Sequence, residues 1–132
     1  MQKLDHLVPV VLRLGLAVVF IWFGAHQLID PSSWTVYIPA FTNNPLISAE
    51  TIILLNGWVE IVGAALLLAG FWMRPVAFIL AIHMLFLAIE MGGAIGVRDF
   101  GLAIACLALA LSTPDRWTLD HKLETKRVGS TI

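Results

Sequence analysis

Charge is scarce in this chain. Charged side chains make up 13% of its 132 residues, and eight Lys and Arg against nine Asp and Glu leave a net charge of −1. With no basic field to hold a polyanion, a nucleic-acid partner is excluded. Cysteine occurs once, as Cys106 inside an apolar run, which rules out an intramolecular disulfide and a cysteine-based metal cluster and leaves the thiol as a small packing residue. The chain also lacks GxGxxG, CxxC and HExxH motifs and any convincing pair of metal ligands, so no metal is expected. Repeats of solenoid period and low-complexity tracts are missing too.

What fills the sequence is apolar. Hydrophobic residues reach 59% and mean hydropathy is +0.89, well above the roughly half apolar content of soluble domains. Lipid is therefore the expected solvent. A helix needs about 20 residues to cross a hydrocarbon layer about 30 Å thick, and four stretches qualify: about 8–29, 51–72, 75–91 and 94–112, with an outer loop over 30–50 and a tail over 113–132. Arg13 interrupts the first stretch and no A-x-A-like site comes after it, so it reads as a retained span and not as a leader. Asp30-Pro31 stops the first span, Ser48 caps the second with Glu50 in its first turn, and Pro75 opens the third where a missing N–H costs nothing.

The fold class is thus an all-α integral membrane protein, a bundle of four transmembrane helices forming one domain. Lys3, Arg74, Arg116, Lys122, Lys126 and Arg127 fall on one side of four spans, which predicts both termini in the cytoplasm. Trp22, Trp34, Trp72 and Trp117 read as interfacial anchors. The outer loop, rich in proline and aromatics, is expected to fold back as a cap. "TPDRWTLDHKLETK" is expected to form a short interfacial helix, with Thr113 as N-cap, Pro114 at N1 and Asp115 in the first turn, and the last residues to fray.

Helical spacing groups the polar residues. Asn56, Glu60, Gly63, Leu67 and Gly70 share one face of the second span, His83, Leu87 and Glu90 one face of the third. Arg98, Gly101, Ala105, Ala108 and Ser112 form a narrow ridge on the fourth, and Arg13, Ala17, Phe20, Gly24 and Gln27 align on the first. At about 1.5 Å per residue, Glu60, Glu90, Arg98 and Asp99 all lie roughly 18 to 22 Å from the cytoplasmic ends, with His83 lower and His26 near the outer end. Each charge within the membrane costs at least about 2.5 to 3.5 kcal/mol. One arginine cannot neutralise three carboxylates, so the expected cluster requires protonation or a wet cavity as well. Arg13, near the cytoplasmic side, reads equally as a snorkelling anchor or as a buried residue.

Four motifs in order make the chain resemble the DoxX family of small four-helix membrane proteins over nearly its whole length. They are Gly57-Trp58-Val59-Glu60 in the second span, Gly70-Phe71-Trp72-Met73-Arg74 after it, the Arg98-Asp99 pair, and Trp117-Thr118-Leu119-Asp120. Many members carry lysine where this chain has Gln27, in Gly24-Ala25-His26-Gln27-Leu28. The resemblance implies a multi-pass protein of a prokaryotic cytoplasmic membrane, in some members linked to oxidation of sulfur compounds or thiols coupled to quinone.

Two functions stand as expectations. In the first, the chain is a subunit of a quinone-linked oxidoreductase, with Glu60, Arg98, Asp99 and His83 as candidate catalytic residues, Arg98, His83, Asn56 and Glu90 as candidate quinone contacts, no covalently bound cofactor, and electrons from a partner. In the second it is a non-catalytic accessory subunit packed against a larger membrane complex, its polar cluster fixing helix register. Membrane lipids and a protein partner, or further copies of the chain, are the expected neighbours. A transporter would need oligomerisation to make room for a pathway.

Overall fold

Several helix ends fall at residues whose chemistry favours them. In the computed structural model, which describes residues 5–38 and 46–129, α1 (Val8–Ile29) holds Pro9 in its first turn and ends at Asp30, ahead of Pro31. A 3₁₀ segment, Pro31–Tyr37, comes next. Asp30 caps it, and hydrogen bonds from Ser33 and Ser32 hold the Asp30 carboxyl below its usual range. α2 (Ala49–Ala69) is capped by Ser48, whose Oγ accepts from the Thr51 N–H at 3.2 Å. α3 (Met73–Met91), α4 (Gly93–Leu111) and α5 (Leu119–Gly129) complete the chain.

Four of these helices, α1 to α4, are long and apolar enough to cross a membrane. The protein is an all-helical, four-helix membrane bundle with a short C-terminal helix. α1 pairs most closely with α2 and α3 with α4, while α2–α3 and α1–α4 contacts close the bundle. Phe20, Leu67, Met73, Leu80, Cys106 and Leu109 fill its interior. The outward faces are equally apolar, with Val11, Ile79, Ile89 and Val97 exposed. A bundle apolar all round is built for hydrocarbon on its outside.

The 3₁₀ segment packs on α2 and α1, in the position expected of an outer cap. The remainder of that expected cap, residues 39–45, and the fraying expected at the end of the tail, residues 130–132, lie outside the described residues.

The end of the bundle that carries both chain ends is locked by the segment after α4. Arg13, which the sequence left between anchor and buried residue, is only 3% exposed. Its Nε donates to Asp115 Oδ2 at 2.9 Å and its Nη1 to the Leu67 and Leu68 carbonyls, both at 2.8 Å. Those carbonyls belong to the last turn of α2, where Leu67 O also accepts the Gly70 N–H at 3.1 Å. One guanidinium thus ties α1, the end of α2 and the post-α4 segment together.

Asp120 does the same for α3. Its carboxylate accepts the Trp72 and Met73 N–H groups at 2.9 and 2.8 Å, capping α3 from 47 and 48 residues away. Its own N–H donates to the Gly70 carbonyl. Gly70 is left-handed at φ 63°, and a Cβ there would meet Thr118 at 2.6 Å, so only glycine allows this docking. Arg74 Nε closes the end by donating to the Ala110 carbonyl at 3.0 Å.

This lock corrects the expected start of the last helix. With Asp115 turned inward to Arg13, residues 113–118 cannot be helical. The helix begins at Leu119 instead, and Thr118 Oγ1 caps it by accepting the His121 N–H. The expected small-residue ridge on α4 is also displaced. The buried stripe runs through Gly96, Asp99, Ala103, Cys106 and Ala110, while Gly101 and Ala108 face outward and nothing lies within 4 Å of a Cβ built at Gly101.

Replacing Asp115 by alanine leaves the Arg13 guanidinium buried without its charge partner and is expected to cost about 3–5 kcal/mol. Asp120→Ala removes a cap and is expected to cost about 0.5–2 kcal/mol. Thermal unfolding in detergent checks the order. A D115A midpoint no lower than that of D120A would contradict it.

Candidate functional site

At the opposite end, where α1 runs out and α2 and α4 begin, the bundle opens into a cavity of about 340 Å³ lined by all four long helices and the 3₁₀ segment. Its position depends on one close crossing. A Cβ at Gly24 would lie 2.9 Å from the Gly57 carbonyl oxygen, and one at Gly57 would lie 3.1 Å from the Gly24 carbonyl oxygen. Two facing glycines let α1 and α2 touch backbone to backbone. One turn beyond Gly24, that contact brings Gln27 against Asn56 and Glu60.

The three side chains close a ring of hydrogen bonds. Glu60 Oε1 accepts from Asn56 Nδ2 at 3.0 Å, Glu60 Oε2 from Gln27 Nε2 at 3.2 Å, and Gln27 Oε1 from Asn56 Nδ2 at 2.7 Å. Glu60 is 3% exposed and its direct partners are amides, not a cation. Where a lysine at the position of Gln27 would supply charge, glutamine supplies a donor and an acceptor.

The other polar wall comes from α4. Arg98 Nε donates to Asp99 Oδ1 at 2.8 Å, the Arg98 guanidinium lies 4.6 Å from the centroid of Phe23, and its side chain is 45% exposed against 4% for Asp99. The terminal nitrogens of Arg98 make no hydrogen bond to any described residue. Arginine over an aromatic face is held by the ring quadrupole while its remaining N–H groups stay available.

Apolar and aromatic groups complete the lining. Phe23 meets Trp34 edge-on at 5.8 Å between centroids, Trp34 lies 5.8 Å from Tyr37, and α3 contributes Met84, Leu87 and Met91. Trp22 and Trp34, expected only as interfacial anchors, therefore also wall the cavity. Their spacing in sequence resembles that of anchors, and only the turn of the chain after Ile29 brings Trp34 back over α1.

Of the candidate site residues, Glu60, Arg98, Asp99 and Asn56 line this one cavity, and His83 and Glu90 do not. The reason is angular. On α3 the cavity face is Met84, Leu87 and Met91, and His83 and Glu90 each precede one of the methionines by one residue, about 100° around the helix. Glu90 is half-buried and makes no hydrogen bond or ion pair with a described residue. His83 keeps a buried Nε2 without a partner among the described residues. His26 stands apart, exposed, stacked on Trp22 at 4.2 Å and donating through Nδ1 to the Trp22 carbonyl.

The model of the DoxX family matches residues 8–93, more than half of the chain. That span includes Gly57 to Glu60 and Gly70 to Arg74 and ends before Arg98-Asp99 and Trp117 to Asp120. Comparison with the curated proteins found no match, and comparison with the solved structures found none.

The Gly24–Gly57 crossing is tested by Gly24→Ala. The added methyl has backbone oxygen, not only a flexible side chain, in its way. Forcing α1 from α2 is expected to cost about 1–3 kcal/mol and to loosen the Gln27–Glu60 bond. A G24A protein with the wild-type unfolding midpoint would show that the crossing is not tight.

Proposed function

Because the chain belongs to the DoxX family, we propose that it is a membrane subunit that receives the head group of a quinone in the cavity between α1 and α4 and moves protons there, with electrons supplied by a partner protein. The observation that carries this reading is the division of a single intramembrane cavity into a hydrogen-bonding wall and an aromatic one.

A quinone head is a flat apolar ring with carbonyl acceptors, and when bound it supplies a two-electron acceptor that takes up protons on reduction. The cavity fits those demands. Its volume of about 340 Å³ lies in the range of small-molecule sites. Phe23, Trp34 and Tyr37 offer flat surfaces, and the unengaged Arg98 nitrogens offer charge-assisted donors, about twice as strong as neutral ones. Asp99 keeps that guanidinium aimed through the Nε bond. Glu60, held by two amides, presents a carboxyl that can accept or release a proton without losing its position. His83, with its unpartnered Nε2 behind the cavity, is the candidate link by which protons pass between Asp99 and the interior of the bundle.

The family resemblance makes a protein that oxidises a sulfur compound or thiol the electron donor of choice. Arg74, Arg116, Lys122, Lys126 and Arg127 belong to the end that carries the chain ends, which supports a cytoplasmic orientation for that end.

The test is gentle purification followed by mass spectrometry for bound quinone and co-isolated protein, then titration with a short-chain quinone read by quenching of tryptophan fluorescence. Arg98→Ala is expected to weaken binding about tenfold or more, the value of a hydrogen bond to a charged group. Glu60→Gln is expected to bind quinone yet impair its reduction by the partner. Unchanged affinity in R98A removes the reading. A stoichiometric partner without quinone favours the accessory role, in which the Gln27–Asn56–Glu60 ring only fixes helix register.

A further inference from the structure

A second cavity, of about 610 Å³, lies at the other end of the molecule, between the start of α1 and the segment after α4. Three basic side chains line it: His6, Arg116 and His121. None of them makes a side-chain hydrogen bond or ion pair with a described residue. Asp115 also lines it, but both of its carboxylate oxygens are taken, Oδ2 by Arg13 Nε and Oδ1 by Arg13 Nη2 and the Trp117 N–H. Its charge is therefore already balanced by a buried guanidinium. Thr113 also lines it.

The rim is of the opposite character. Val8 is 62% exposed, Leu111 72% and Trp117 59%, and all three stand where the apolar outer faces of α1 and α4 meet this end. An indole at such a boundary is the usual mark of the membrane interface. The cavity thus joins donors and positive charge within to a hydrocarbon-covered wall outside.

We propose that this cavity holds the phosphate of an anionic phospholipid, with Arg116, His6 and His121 on the phosphate oxygens and the acyl chains lying along the outer faces of α1 and α4. Basic recesses at the ends of transmembrane helices take lipid phosphates in this way. A phosphate has the acceptors that the three side chains lack, and arginine matches it with two parallel N–H groups. Lys122 and Lys126 on α5 lie outside the lining of the cavity. The occupant also bears on the lock, because Asp115 and the Trp117 N–H belong to both.

The full-length protein in detergent is titrated with phosphatidylglycerol, phosphatidylcholine and inorganic phosphate, and retained lipid is counted by native mass spectrometry. Phosphatidylglycerol is expected to be retained in preference to phosphatidylcholine. Arg116→Gln is expected to lower that retention about fivefold, the value of one cation at an anionic surface. Adding His121→Gln should lower it further. Lys126→Gln, outside the cavity, should leave retention within about twofold of wild type, well short of the fivefold loss.

Equal retention of both lipids by the wild type would overturn the proposal, as would an R116Q/H121Q protein that retains as much phosphatidylglycerol as wild type. So would a K126Q loss matching that of R116Q, which would mark diffuse surface attraction. Displacement of phosphatidylglycerol by millimolar inorganic phosphate would identify a free-phosphate site instead. These side chains have no partners among the described residues, so the variants should unfold at the wild-type midpoint. If R116Q does not fold, the H6Q/H121Q protein carries the same comparison.

Discussion

A guanidinium removed from water must bring its partners with it, and at Arg13 those partners come from three parts of the chain. The arginine sits on α1, the carbonyls of Leu67 and Leu68 end α2, and Asp115 arrives from beyond α4. Breaking such a pair costs far more than the pair is worth against apolar neighbours, because the orphaned charge stays buried. The consequence is topological. The segment after α4 has to return beneath the bundle, and once there it places Asp120 on the open N-terminus of α3 and Thr118 against Gly70. Trp72, the one non-glycine residue with positive φ among those described, is held by the same carboxylate.

That arrangement divides the polar groups of the bundle into two layers. Those at the end with the chain ends, Arg13, Asp115 and Thr118, are paired and structural. The other layer, around Glu60 and Arg98, leaves nitrogens of Arg98 and His83 without partners among the described residues and opens onto a cavity. Between them lies a dry core of Phe20, Leu80, Cys106 and their neighbours. Buried polar groups are as a rule hydrogen-bonded, and the first layer follows that rule, while His83 Nε2 in the second departs from it among the described residues.

The same division sorts the motifs that suggested the family. Gly70 to Arg74 and Trp117 to Asp120 are two halves of one joint, with Gly70 making room for Thr118 and Asp120 capping the helix that starts just after Gly70. Gly57 to Glu60 and Arg98-Asp99 belong to the cavity. In the first of these, glycine and carboxylate have separate tasks: Gly57 lets α1 approach, and Glu60 meets the Gln27 and Asn56 amides that the approach delivers.

Much of the architecture was legible along the chain. Span lengths, the stop at Asp30-Pro31, the Ser48 cap and the shared depth of Glu60, Arg98 and Asp99 are properties of local composition and of rise per residue, which any apolar helix obeys. Rotation about each helix axis is not local. A shift of one residue, about 100°, decides that Asp99 and Cys106 of α4 face inward while Gly101 does not, and that His83 and Glu90 stand beside the cavity wall that Met84 and Met91 form. Residue order alone therefore set how many helices cross and at what height their charges lie. Which charges meet, above all Arg13 with Asp115 across 102 residues, was left to the folded bundle, because backbone contacts between glycines and the pairing of buried ions act between helices and leave no periodic trace along any one of them.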